Sequence, residues 1–135
     1  VTGVQTCALP ISIYHKNQLI GFVIASIEKK KSKDGSIVGL CHIVDVLCRA
    51  DHKSALGLML REIESFAKEQ DACAISCWML KHWFYQDELK RVGYFQFRAP
   101  SVLAGTVLSD TLKNNEEEIL NENNWYITIG DSDYV

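Results

Sequence analysis

Apolar positions along this chain fall into short alternating or continuous runs, interrupted by one stretch with helical spacing. Leu19 to Lys29 and Ile37 to Leu47 are apolar-rich and of strand length, and Ile13-Tyr14-His15 reads as the end of a third such run. Lys16-Asn17-Gln18 separates the first two runs, and Ser32 to Ser36, with Asp34-Gly35 at its centre, separates the next. Strands divided by a few turn-forming residues pair as hairpins, so the pattern predicts a three-stranded antiparallel meander. The spacing then changes. Ala55, Leu58, Met59, Glu62, Ile63, Phe66 and Ala67 recur at i, i+3, i+4 and i+7, all apolar but Glu62, which predicts an amphipathic helix over Ala55 to Glu69.

Beyond a turn at Gln70-Asp71, Ala72 to Leu80 is almost wholly apolar. A run of that kind, reached through a helix from the preceding strand, predicts a central parallel strand of a β-α-β unit. Phe84 to Val92 reads as a short helix carrying Tyr85, Glu88, Leu89 and Val92 on one side. Gly93 comes next, at the place of a C-terminal cap, where the left-handed conformation favours glycine. Tyr94 to Arg98 reads as a strand closed by Pro100, Ser109 to Asn124 as an acidic surface helix or excursion, and Trp125 to Ile129 as a last β run. The order predicts an α/β (α+β) domain with a mixed sheet.

Composition narrows the function classes. With 135 residues, 47% of them apolar, and a formal charge of −3, the chain is one soluble globular domain and lacks the basic face of a nucleic-acid binder. The basic run within Glu28 to Lys33 abuts Asp34-Gly35 and reads as a solvated hairpin end. No apolar run has the length to cross a bilayer, so no membrane role is expected. The five cysteines are odd in number and show no Cys-x-x-Cys pair, which predicts reduced, buried thiols in a cytoplasmic protein and no metal site.

The opening residues stand apart. Val1 to Ile11, VTGVQTCALPI, lack an initiator Met, share no period with the strands after them, and resemble the in-frame translation of a sequencing adapter. The expectation is a non-native leader over residues 1–12 and a domain over residues 13–135.

Ile43 to Ala67 is the stretch with the most chemistry in it. It reads as a buried strand (Ile43 to Leu47), a polar loop (Cys48 to Lys53) and the helix. A helix start leaves backbone N–H groups without internal partners at the positive end of the dipole, a ready site for phosphate. The element order resembles the GNAT superfamily of N-acetyltransferases from about Ile13 to the C-terminus. That superfamily's pyrophosphate motif, Gln/Arg-x-x-Gly-x-Gly/Ala, is similar to His52-Lys53-Ser54-Ala55-Leu56-Gly57: His52 takes the Gln/Arg slot, Ala55 the first Gly slot, and Gly57 matches. Its Leu-Gly-Phe helix ending resembles Val92-Gly93-Tyr94. The slot four residues before that glycine, commonly a Tyr that protonates the CoA thiolate, holds Leu89, and Tyr85 lies one turn earlier. Trp125 to Thr128 and Gly130-Asp131-Ser132-Asp133 also look like the ending of a bacterial subgroup.

The resemblance implies acetyl-CoA as co-substrate and metal-free transfer of an acyl group to an amine by direct, sequential attack. It places the pantetheine arm on Val46, Leu47 and Cys48, and the pyrophosphate on His52, Lys53, Ser54, Ala55, Leu56 and Gly57. Asp45, the sole acid inside the central strand, is then the candidate general base and Tyr85 the candidate acid. Cys48 has no His-acid partner pattern that would make it a nucleophile, and Asp131 and Asp133 are candidates only for attracting a cationic amine. The alternative is a catalytically degenerate acyl-CoA-binding or protein-interaction module, favoured by Leu89 and Ala55. The superfamily's first strand and first two helices would precede Ile13, so a partial domain with an exposed apolar sheet edge, prone to self-association, is expected.

Overall fold

The computed structural model describes residues 7–79, 85–96, 110–125 and 127–128. β1 (Cys7–His15) and β2 (Gln18–Lys31) are joined by Lys16 and Asn17 alone, both at positive φ (48° and 63°). That is the backbone of a two-residue hairpin whose twist matches the strands. Gln18, expected in the turn, is instead the first residue of β2. β1 begins at Cys7, well ahead of Ile13, because half-buried Leu9, Ile11 and Ile13 alternate with exposed Ala8, Pro10 and Ser12. Pro10 is tolerated there since β1, among the described residues, pairs only with β2.

The second hairpin turns at residues 32–36. Asp34 Oδ1 accepts from Ser36 N–H at 3.0 Å and from its hydroxyl at 2.7 Å, and Gly35 takes the positive φ of 88°. β3 (Ile37–Cys48) then runs antiparallel to β2, completing the expected meander. Its register slips once: Ile24 faces Asp45 while Ala25 faces Ile43, which leaves Val44 as an extra residue. Such a bulge shifts the alternation by one. Gly39, Cys41 and Ile43 point to one face, and after the slip Val46 and Cys48 point to that same face.

α1 (Ser54–Glu69) carries the chain across this face to β4 (Ala72–Cys77), which is parallel to β3 in a sheet of order β1-β2-β3-β4. The helix lays Leu56, Met59, Leu60, Ile63 and Ala67 on Val23, Ala25, Ile27, Cys41, Ile43 and Val46. This corrects the expected face. Leu58 is 55% exposed and Glu62 is exposed, while Leu56 and Leu60 are core. Leucines at 56, 58 and 60 allow either phase, and only the sheet decides between them. β4 differs too: among the described residues it is the last strand of the sheet and is only partly covered, with Cys73 and Ala74 exposed.

α2 (Tyr85–Arg91) ends as expected. Gly93 at φ 101° lets Tyr94 N–H reach Leu89 O (2.9 Å) and Gly93 N–H reach Lys90 O (3.1 Å), a paired closure of the last turn. Tyr94 to Gln96 form no strand, and the rest of the expected strand to Arg98 lies outside the described residues. The acidic segment is a surface excursion: 3-10 turns at Asp110–Asn115 and Glu122–Asn124 flank α3 (Glu116–Leu120). Of the last β run, Thr128 makes one antiparallel bridge with Met79, Trp125 and Ile127 are not in a strand, and Tyr126 and Ile129 lie outside the described residues.

Candidate functional site

The bulge has a consequence at the far end of β3. Pairing with β4 runs from Gly39↔Ala72 to Ile43↔Cys77 and stops, and β3 continues from Val44 to Cys48 with no β4 partner. Backbone groups that a neighbouring strand would satisfy must find other partners here. Val46 N–H donates to Asp45 Oδ1 at 2.8 Å. Cys48 N–H donates to Tyr85 Oη at 2.8 Å, and the Tyr85 hydroxyl donates back to Cys48 O at 3.1 Å. The parting thus gathers the two side chains singled out for proton transfer, Asp45 and Tyr85, on the strand stretch singled out for the pantetheine arm. Thr128 Oγ1 lies 3.5 Å from the same Asp45 oxygen.

Tyr85 is fully buried, and that burial pushes its phenol up, so it is the neutral form that holds Cys48. Leu89, in the slot usual for the acid, is packed in the core. Burial also raises the Cys48 thiol, whose Sγ faces His52 O at 3.4 Å. Cys41 and Cys77 are pushed up to about 11 and about 12 by burial. Such thiols stay protonated and inert. Cys73, expected among the buried ones, is exposed.

The start of α1 lies beside this parting. A 3-10 turn, Ala50–His52, feeds it; Lys53 at its N-cap makes no side-chain capping bond and the first turn of α1 holds no acid. An open groove of about 250 Å³ runs along it, lined by Ser54, Gly57, Leu58, Arg61, Arg91 and Val92. Arg91 lies over Gly57 so closely that a Cβ there would stand 2.8 Å from its Nη2, and its Nε donates to Glu88 at 3.0 Å. A side chain at 57 would push the end of that guanidinium aside. Arg61 and Arg91 escaped the sequence reading. Arg61 was accessible to it, one turn after Gly57 on the same face, whereas Arg91 arrives from α2 by tertiary packing alone.

The six residues matched to the pyrophosphate motif divide. Ser54 and Gly57 line the groove, Ala55 and Leu56 send their side chains into the core, and Lys53 is the exposed residue before α1. His52 turns away from the groove to lie against His15, with ring centres 5.3 Å apart. Next to it, Asp51 is held by Arg49 (Nε to Oδ1, 3.0 Å), which keeps its carboxyl below the usual range. Asp131 and Asp133 lie outside the described residues. No helix among the described residues is long and apolar enough to cross a membrane.

No protein-family model and no curated protein matches the sequence. Solved structures do match in shape. The chain superposes on an aminoglycoside 6′-N-acetyltransferase from Acinetobacter haemolyticus with a TM-score of 0.55 and 15% identity, over 74% of this chain and 71% of the other. It superposes on the aminoglycoside N-acetyltransferase AAC(6')-Iy, solved in complex with CoA, with a TM-score of 0.58 at 8% identity, over 73% and 75% of the two chains. The chain has the acetyltransferase fold. A ribosomal-protein-alanine N-acetyltransferase from Brucella melitensis biovar Abortus 2308 shares it as well, at a TM-score of 0.54 and 14% identity, over 73% of this chain and 71% of that one. In this acetyltransferase fold the described sheet and α1 account for the expected mixed α+β architecture, and the parting of β3 from β4 sits beside the open end of α1.

Proposed function

We propose that the protein is an acetyl-CoA-dependent N-acetyltransferase that passes an acyl group to an amine by direct attack, without a covalent enzyme intermediate. The observation that carries this reading is the parting of β3 from β4 beyond Ile43↔Cys77, next to an uncapped helix start flanked by two guanidinium groups. Ser54 to Gly57, with Arg61 and Arg91, offer a diphosphate both N–H donors at a helix start and forked cations. Val46, Leu47 and Cys48 offer a pantetheine arm an unpaired strand edge, where its amides exchange with Asp45 and Tyr85 for backbone partners. Asp45 draws a cationic amine to the parting and is one acceptor for its proton, and Tyr85 is the acid for the departing thiolate. Free thiols at Cys41, Cys48, Cys73 and Cys77 support a reducing compartment such as the cytoplasm.

A second reading, a degenerate acyl-CoA-binding module, is favoured by one observation: the Tyr85 hydroxyl is engaged at both its donor and acceptor sides by Cys48. Calorimetry with acetyl-CoA, followed by a thiol-release assay over an amine panel, separates the two. Binding with turnover supports the enzyme and binding without turnover the module, while no binding excludes both. Self-association through the outer edge of β1, near exposed Tyr14, belongs to the same proposal, and a purely monomeric species in sedimentation would contradict it.

A further inference from the structure

On the sheet face turned away from α1, side chains from three strands form one hydrogen-bonded line. His42 of β3 stands opposite Ser76 of β4 in the register, with Nδ1 2.7 Å from Ser76 Oγ. Its Nε2 lies 3.1 Å from Glu28 Oε2 of β2, and Lys30 Nζ holds that same oxygen at 2.9 Å. The hydrogen bond from Lys30, ahead of that from His42, keeps the Glu28 carboxyl below its ordinary range. A carboxylate can only accept, so in the neutral ring Nε2 carries the proton. Nδ1 is then a lone pair, and the Ser76 hydroxyl donates to it. This is an oriented base: a donor hydroxyl, an imidazole of fixed tautomer, and an anion behind it. Glu28 and Lys30 on β2 are the charged groups bonded in line with His42, and its β4 neighbour Ser76 is neutral.

The position gives the line its use. Ile43↔Cys77, the pair after His42↔Ser76, is the last before β3 and β4 separate. The Ser76 hydroxyl therefore stands one pair short of the parting, and the His42 side chain beside it keeps 21% exposure. Asp45, further along the same strand, has Oδ1 committed to Val46 N–H.

We infer that the proton released by the acceptor amine ends on His42, reached through the Ser76 hydroxyl and held there by Glu28; this rests on the acetyltransferase reading. As the amine nitrogen bonds to the thioester carbonyl carbon, its N–H proton passes to Ser76 Oγ while the proton of Ser76 passes to Nδ1. The carbon–sulfur bond breaks with its electron pair on the CoA sulfur, which takes a proton from Tyr85. Glu28 takes no proton and stabilises the imidazolium until it returns its proton to solvent, and the Tyr85 phenolate takes one back from solvent.

Two measurements test this. Long-range 1H–15N correlation on the free protein is expected to show His42 protonated at Nε2 and bare at Nδ1. Steady-state kinetics with acetyl-CoA and an alkylamine are expected to show His42→Gln losing about 10²–10⁴-fold in kcat with KM near wild type. The loss should shrink with hydroxylamine, a weakly basic acceptor whose proton water can take. Ser76→Ala should follow His42→Gln. Should His42→Gln fail to fold, Glu28→Gln tests the same line, because it frees the tautomer and is expected to lower kcat but not KM. A ring protonated at Nδ1 overturns the inference, as does undiminished kcat in a folded His42→Gln protein. Acetyl-CoA binding with no transfer by the wild-type protein to any amine overturns the acetyltransferase reading, and the relay with it.

Discussion

Tyr85→Phe removes one oxygen from a fully buried side chain and leaves its shape unchanged. That oxygen accepts Cys48 N–H at 2.8 Å and donates to Cys48 O at 3.1 Å, where β3 has no β4 neighbour to replace it. Phenylalanine fills the same space, so little apolar burial is lost and no cavity opens. What remains is a backbone donor and a backbone acceptor on a residue only 5% exposed. A buried group left without its partner costs about 1–3 kcal/mol, and the carbonyl's second lone pair softens its share, so a loss of about 2 kcal/mol is expected. That is roughly a 30-fold change in the unfolding equilibrium. Urea denaturation reads it as a lower midpoint at unchanged slope, since the surface exposed on unfolding is the same. A midpoint equal to wild type would show that the phenol does not hold Cys48, and the account of the parting would fail with it. The same variant separates structure from chemistry. On the proposal that Tyr85 is the acid for the thiolate, its loss slows transfer from an alkyl thioester and matters little for a donor whose thiol is already acidic.

Leu60→Ala should destabilise the protein by about 2–5 kcal/mol, whereas Leu58→Ala should stay within about 0.5 kcal/mol; equal losses in chemical denaturation would put the helix in the other phase. Glu28 has its carboxyl held below its usual range, so its contribution is present above its unfolded value of 4.5 and is lost as pH falls through its lower folded value. Stability measured across the acid range should therefore fall less steeply in Glu28→Gln, and parallel profiles would refute the pairing. Iodoacetamide on the folded protein should label exposed Cys73 and spare Cys41, whose thiol is pushed up to about 11, with comparable labelling by peptide mass mapping as the contrary result.

The meander, α1, the parallel entry into β4 and the Gly93 cap were all legible because each is a local pattern: a turn signal, a period, or a glycine after a periodic run. Errors arose where a tertiary neighbour chooses among equivalent local patterns. Leu56, Leu58 and Leu60 satisfy a helical stripe in two phases, and packing on the apolar face of β2 and β3 selects the one that buries Leu56 and Leu60. The bulge at Val44 left no trace in the sequence, since Ile43 to Leu47 reads as one apolar strand whichever residue is extra. Yet the bulge fixes which face Asp45 takes. The line from Glu28 through His42 to Ser76 was beyond reach for a related reason. Its members are 14 and 34 residues from His42 along the chain, and only the register of three strands brings them into contact.

The parting and the helix start contribute differently to any ligand they share. At the parting, Val46 N–H and Cys48 N–H already have partners in Asp45 and Tyr85. A chain lodged there exchanges one hydrogen bond for another and gains little, because a made bond is worth only about 0.5–1.5 kcal/mol net. At the helix start, by contrast, no acid sits in the first turn of α1, and Arg61 stands on the groove beside Arg91, which Glu88 holds. Bonds from guanidinium to an anionic oxygen are about twice as strong as neutral ones and add to the helix dipole. Affinity on the acetyl-CoA reading therefore comes from the diphosphate end, and the β3 edge supplies alignment. That division suits a transferase. Tight holding far from the reacting carbonyl leaves the Asp45, Tyr85 and Ser76 side chains free to change partners as charge develops, so binding strength is spent on orientation and not on fixing the ground state.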